Sequence, residues 1–140
     1  MEAREKFHPA LVHNGTLSLA DVVVPRSRIA DFVEKANTIA SQHGMVLIAS
    51  GHAGDGNVHL HLMGEDTGAN RETAEKILEE IYITGVSMGG TISGEHGLGF
   101  TKKRYLPLAE SAGKIELMKR IKQAFDPHNI LNPGKVFDIE

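Results

Sequence analysis

The sequence predicts an α+β fold, a ferredoxin-like antiparallel sheet with helices on one face and an added C-terminal helix. Three observations lead there. Residues 57–63 alternate between apolar and polar types, the period-two signature of a strand with one buried face. Two stretches carry apolar residues at helical spacing, Ile29-Phe32-Val33-Ala36-Ile39-Ala40 and Ala74-Ile77-Leu78-Ile81-Tyr82. Around them the elements run in the order β-α-β-β-α-β-α, the split β-α-β pattern extended by one helix.

Residues 1–15 read as a polar entry segment, helical over Arg4–Leu11 but interrupted at Pro9. Residues 17–24 are rich in β-branched and apolar types and end at Pro25, which makes them the first strand. A helix follows to about Gln42, with Ser27 as its expected N-cap and Gly44 as the left-handed residue that stops it. Met45–Ser50 is an apolar run of strand length, joined through a glycine-rich corner to the strand over 57–63. A second helix is expected from about Arg71 to Met88, ended by Gly89-Gly90. Thr91–Ser93 then suits a short strand. The last helix should cover about 107–125, with Ile115, Met118, Ile121 and Phe125 on one side. Asn132–Lys135 forms a turn, and Val136-Phe137 a final edge strand.

Bulk properties narrow the functions. The chain has 140 residues, the size of a single domain, which is the organisation expected over 1–140. A net charge of −3, 5% aromatic content and no Trp argue against nucleic acid as a partner. With no Cys there is no disulfide framework and no thiolate chemistry. No apolar run approaches membrane-spanning length, and the first residues lack a signal-peptide apolar region. The expected location is cytoplasmic, with membrane-peripheral attachment as a variant.

The chemistry concentrates in residues 51–63, Gly-His-Ala-Gly-Asp-Gly-Asn-Val-His-Leu-His-Leu-Met. Alternation turns Val58, Leu60 and Leu62 to a core and leaves Asn57, His59 and His61 together on the other face. His52 precedes a Gly-Asp-Gly bend that can return it toward His59. With Glu95, from Gly94-Glu95-His96-Gly97-Leu98-Gly99, the two imidazoles form a three-ligand divalent-metal set. The spacing also fits a hydrogen-bonded polar cleft with no metal, or histidines satisfied separately by backbone carbonyls. His96 is a candidate general base, although adjacent side chains diverge unless the glycines beside them bend the backbone. Asp55, between two glycines, reads as a turn-former. Gly94–Gly99 lacks the spacing of a phosphate loop. Lys102, Lys103 and Arg104 read as a solvated basic turn, the alternative being contact with an acidic domain or a substrate carboxylate.

His52-Ala-Gly-Asp-Gly-Asn-Val-His59, Gly90-Thr-Ile-Ser-Gly-Glu-His-Gly-Leu-Gly99, Phe125-Asp-Pro127 and Asn132-Pro-Gly-Lys135 together resemble the C-terminal domain of the FAD-linked oxidases. That group includes the glycolate oxidase catalytic subunit, D-lactate dehydrogenase and D-2-hydroxyglutarate dehydrogenase. Arg4 with Phe7–Ala10, and Asp21–Pro25, resemble the opening of that domain, so the likeness covers nearly the whole chain in motif order.

The resemblance implies a flavoenzyme oxidising a D-2-hydroxy acid, with FAD and a divalent metal, Zn or Mn, as cofactors. It implies His52, His59 and Glu95 as metal ligands, His96 as catalytic base and Arg4 as the catalytic-site group that binds the substrate carboxylate. Asn57 and His61 would line the substrate, and Asn132 and Lys135 would contact the cofactor. The implied partners are an FAD-binding domain or subunit, a small 2-hydroxy acid and an iron–sulfur or other electron acceptor. These 140 residues have no place to hold FAD alone, so the expectation is a fragment, inactive without an FAD domain that is either a lost segment or a separate chain. Two departures bear on substrate. D-2-hydroxyglutarate dehydrogenases have, near position 19, a lysine for the second carboxylate where this chain has Leu19, which argues against a dicarboxylate substrate, and His61 stands where those enzymes have asparagine. The alternatives are a free-standing module that binds a ligand or forms a homo-oligomer without catalysis, and a non-haem Fe(II) oxygenase built on the same two histidines and carboxylate.

Overall fold

The computed structural model describes residues 10, 11 and 15–139. Arg4 and the entry segment before Ala10 lie outside the described residues. The chain divides into two compact units, Met1–Gly94 and Glu95–Glu140.

In the first unit, β1 (Thr16–Val23), β2 (Val46–His52) and β3 (Asn57–Met63) form an antiparallel sheet in the order β1-β3-β2. Helices α1 (Ile29–Gln42) and α2 (Gly68–Ser87) connect and follow them. Thr91 bridges Val23 on the free side of β1, bonded both ways at 2.9 and 3.2 Å. The expected fourth strand therefore has its ferredoxin-like place beside β1 but shrinks to one bridge. Gly90 explains the tight approach, because a Cβ there would lie 2.1 Å from the Val23 carbonyl oxygen.

Register explains the core. Ala20 pairs with Leu60 and Val22 with Val58, while Leu47 pairs with Leu62 from the other side. These residues share one face and are buried. The helices cover that face: α1 packs on β2, α2 on β1, and the two helices on each other. Gly85 marks where the layers meet, since a Cβ there would come 2.7 Å from Val22 Cγ1 and 3.4 Å from the Phe32 ring. Phe32, Ile77, Ile81 and Tyr82 complete the core, each worth about 1.5–3 kcal/mol in removed apolar surface.

Helix ends follow local chemistry. Gly44 adopts φ +71°, and Met45 N–H donates to the Ala40 carbonyl, the expected left-handed stop. Ser27 is not the N-cap of α1. Pro25 instead opens a 3₁₀ turn, Arg26–Arg28, closed by Arg28 N–H on the Pro25 carbonyl at 2.7 Å. The second helix starts at Gly68 rather than Arg71 because Thr67 caps it, its hydroxyl accepting from Asn70 N–H at 3.2 Å.

The second unit holds α3 (Leu106–Ala109), preceded by the 3₁₀ turn Lys103–Tyr105, and α4 (Ala112–Phe125). The helix expected over 107–125 is thus interrupted, because Ser111 is extended and caps α4 by accepting from Lys114 N–H. Val136-Phe137 forms no strand. Val136 has φ +68°, and its N–H donates to the Gly99 carbonyl at 2.7 Å, a single long-range bond in place of a ladder. Nor is the basic turn simply solvated: Lys103 bonds both carboxylate oxygens of Asp138, and Arg104 donates to Tyr105 Oη at 2.7 Å.

Candidate functional site

The face of the sheet opposite the helices is polar. Its polar residues are Asp21 on β1, Ser50 and His52 on β2, and Asn57, His59 and His61 on β3, with Leu19 and Ile48 on the same face flanking His61. Asp21 pairs directly with His59, Ser50 with His59 from the other side, and His52 with Asn57. On one face, His52 and His59 are therefore diagonal neighbours, their ring centroids 5.4 Å apart and their planes 85° to each other. Alternation in the sequence places His59 on this face; His52 joins it because β2 runs on past the expected Ser50 to His52, and the 53–56 corner brings the two strands together. In that corner Asp55 Oδ1 accepts from Asn57 N–H at 3.1 Å, the turn-forming bond anticipated for it. Gly56 takes φ +85° against the Val24 carbonyl, a position closed to any side chain.

Burial distinguishes these groups. Asp21 is fully buried, His61 and Asn57 nearly so, and the His59 side chain is 12% exposed. Buried polar groups need polar neighbours. Asp21 Oδ2 accepts from Ser93 Oγ at 3.1 Å and from Gly94 N–H at 3.0 Å, while its Oδ1 lies 3.8 Å from His59 Nδ1. Gly94 also presses on Asn57, since a Cβ at Gly94 would meet that amide at 2.7 Å. Asp21 is the residue sequence reasoning missed. The available signal was a lone carboxylate inside the apolar run of β1.

In the second unit, Glu95 and His96 do not diverge: Glu95 Oε1 lies 3.7 Å from His96 Nε2, with both side chains about half exposed. Gly97 and Gly99, at φ +69° and +53°, take left-handed positions in the loop that follows. Asn132 and Lys135 lie on an open groove of about 590 Å³ with Met118, Ile121, Phe125 and Leu131. Lys135 Nζ stands over the Phe100 ring at 5.6 Å. Asn132 has φ +51°, and the segment before it is pinned by Asp126. That buried carboxylate accepts from Ile130 N–H at 3.0 Å, from Leu131 N–H at 2.9 Å and from Lys122 Nζ. The Lys122 bond, with those two amides, holds the Asp126 carboxyl below its ordinary range.

The two imidazoles that share this face are donors of the kind a borderline divalent ion takes. The family model for the C-terminal domain of FAD-linked oxidases matches residues 1–136.

The chain belongs to this family.

Among curated relatives, the chain is 42% identical to the glycolate oxidase subunit GlcD of Bacillus subtilis over 138 residues, 97% of this chain and 29% of that protein. It is 42% identical to a D-lactate dehydrogenase of Archaeoglobus fulgidus over 120 residues, 86% of this chain and 26% of that one. It is 35% identical to a D-2-hydroxyglutarate dehydrogenase of Stutzerimonas stutzeri over 122 residues, 84% of this chain and 26% of that protein. The FAD-linked oxidase C-terminal domain thus spans under a third of the length of the curated relatives it matches. Among the described residues, no helix is long and apolar enough to cross a membrane.

Proposed function

We propose that this domain binds substrate and metal in an FAD-dependent D-2-hydroxy-acid dehydrogenase or oxidase of glycolate or D-lactate type. The observation that carries the reading is the His52–His59 pair on the polar face of the sheet, beside a buried carboxylate, in a chain of the FAD-linked oxidase family.

His52, His59 and Glu95 would hold the ion, Zn or Mn by the chemistry of the donors. When bound, the ion lowers the pKa of the substrate hydroxyl and FAD accepts the hydride from the carbinol carbon. His96 takes the hydroxyl proton on a ring nitrogen; its half-exposed side chain leaves that ring within reach of a ligand. Arg4, outside the described residues, would bind the substrate carboxylate. Asn57 and His61 supply the polar wall. Leu19 sits directly across from His61, so an isobutyl group stands beside that wall. Such a group suits the hydrogen of glycolate or the methyl of lactate better than a second carboxylate, to which Leu19 offers neither charge nor hydrogen bond.

The proposed partner of the second unit is an FAD-binding domain, with an iron–sulfur or other acceptor taking the electrons onward. Helix α4 supports this. It carries Ile115, Met118, Ile121 and Phe125 along one side, yet all fourteen of its residues stay partly or largely exposed, with Phe125 at 85%. An amphipathic helix with an uncovered apolar stripe belongs against another surface.

The test is to combine the chain with a separately produced FAD-binding domain from the same source and follow dye reduction with D-lactate and glycolate. Turnover should be lost with a chelator and should fall at least about 10²-fold in His96→Ala. Turnover that ignores both the chelator and His96→Ala would overturn the mechanism.

A further inference from the structure

We infer that Asp21 is a positioning residue for the metal site, one carboxylate oxygen orienting His59 and the other anchoring the backbone from which Glu95 extends. This rests on the metal-binding reading above and adds a residue to it.

The sequence position is unusual. Asp21 lies between Ala20 and Val22, both fully buried, in the middle of β1, and is itself fully buried. A carboxylate in such a place is retained only where donors or charge compensate its lost hydration. Among the described residues, compensation is seen in two places. Toward β3, register sets Asp21 directly across from His59 on the same face, with Oδ1 3.8 Å from Nδ1. That is ion-pair range, longer than a hydrogen bond, and in a buried setting it is close enough to fix which ring edge faces the carboxylate. A neutral imidazole with its proton on Nδ1 turns the lone pair of Nε2 outward, the arrangement by which a carboxylate prepares a histidine ligand.

Toward the other end, Oδ2 accepts from Ser93 Oγ and Gly94 N–H at 3.1 and 3.0 Å. Gly94 is pressed against Asn57 so closely that no side chain would fit. Thus the last residue before Glu95 is held from two sides, and consecutive Cα atoms across that peptide are only about 3.8 Å apart. One carboxylate thereby couples the strand that bears His59 to the segment that delivers Glu95. An apolar residue in its place would leave the strand intact and release both.

The test uses the intact chain and two readouts. Nitrogen NMR of labelled histidine, at a single pH where the ring is neutral, reports the His59 tautomer without any metal. Calorimetric titration with Zn²⁺ or Mn²⁺ alone reports affinity. The wild type should hold His59 as the Nδ1–H tautomer. Asp21→Asn keeps an acceptor for Ser93 and Gly94 but removes the charge. It should shift His59 toward the Nε2–H form and weaken metal binding about 10- to 100-fold. Ser93→Ala, which loosens only the backbone anchor, should weaken the metal without moving the tautomer. A wild-type His59 in the Nε2–H form, or wild-type affinity in Asp21→Asn, overturns the inference. Should Asp21→Asn fail to fold, the wild-type tautomer and Ser93→Ala decide. A wild type that binds no metal but keeps the Nδ1–H form removes the metal reading and supports the orienting role of Asp21.

Discussion

On the helix side of the sheet, Ala20, Val22, Leu60 and Leu62 are fully buried beneath α1 and α2. On the other side, their immediate neighbours Asp21 and His61 are just as buried, and His59 is largely so. The same strands carry both sets, separated only by the alternation of the backbone. One face gains stability from removed apolar surface. The other carries polar groups whose burial contributes little to stability and must be compensated by hydrogen bonds and charge. That difference separates what holds the fold from what a ligand would meet. A substitution on the first face should therefore act on stability, and one on the second face on binding.

The largest effect expected is on the helix side. Leu60→Ala should cost about 2–5 kcal/mol, because the site is fully buried and packed from both layers. Urea denaturation measures it, and a loss below about 1 kcal/mol would mean that the face is not the core. Gly90→Ala should cost about 1–3 kcal/mol, since a Cβ would collide with the Val23 carbonyl where the chain crosses from α2 to the polar side. A melting curve checks this, and a neutral result would argue against the bridge. On the polar face, His59→Ala should move stability by only about 1 kcal/mol, an ordinary point-mutation effect, while removing divalent-metal binding. An unfolded His59→Ala would erase the distinction between the faces.

The smallest effect concerns the second unit and sharpens the comparison with a buried carboxylate that has a structural part. The folded Asp126 carboxyl lies below its ordinary value of 3.8, first because of Lys122. Its contribution is therefore fully present above that value and is lost as the pH falls from there through the lower folded pKa. Asp126→Asn should be less stable at neutral pH and should show a flatter acid limb as the pH falls through and below the ordinary value of 3.8. Parallel wild-type and variant acid titrations would contradict this role of the Asp126 carboxylate.

Alternation made the polar face legible in the sequence, because Asn57, His59 and His61 interrupt an apolar run at every second position. Helices α1 and α2 were legible for the same reason, and Gly44 marked a stop that only a left-handed residue fills. Asp21 was harder to find. A single carboxylate does not disturb strand propensity, and its significance depends on a cross-strand partner nearly forty positions away. The collapse of the fourth strand to a bridge at Thr91 follows from the close packing of Gly90 and Gly94, which has no periodic signature. The second unit was least legible. Val136-Phe137 has strand propensity, but Val136 takes a left-handed φ and the segment is held by the Gly99 carbonyl and the Lys103–Asp138 pair rather than by a neighbouring strand. Likewise the interruption before α4 comes from one capping serine within an otherwise continuous helical pattern.

The central claim is that the polar face carries a divalent-metal site made by His52, His59 and Glu95. Calorimetric titration of Zn²⁺ and Mn²⁺ into the chain, beside His52→Ala, His59→Ala and Glu95→Gln, tests it most directly. The account predicts one ion per chain, with binding lost or weakened by at least about tenfold in each variant while the fold persists. Saturable binding that is equally strong in all three variants, or no binding by the folded wild type, would contradict it.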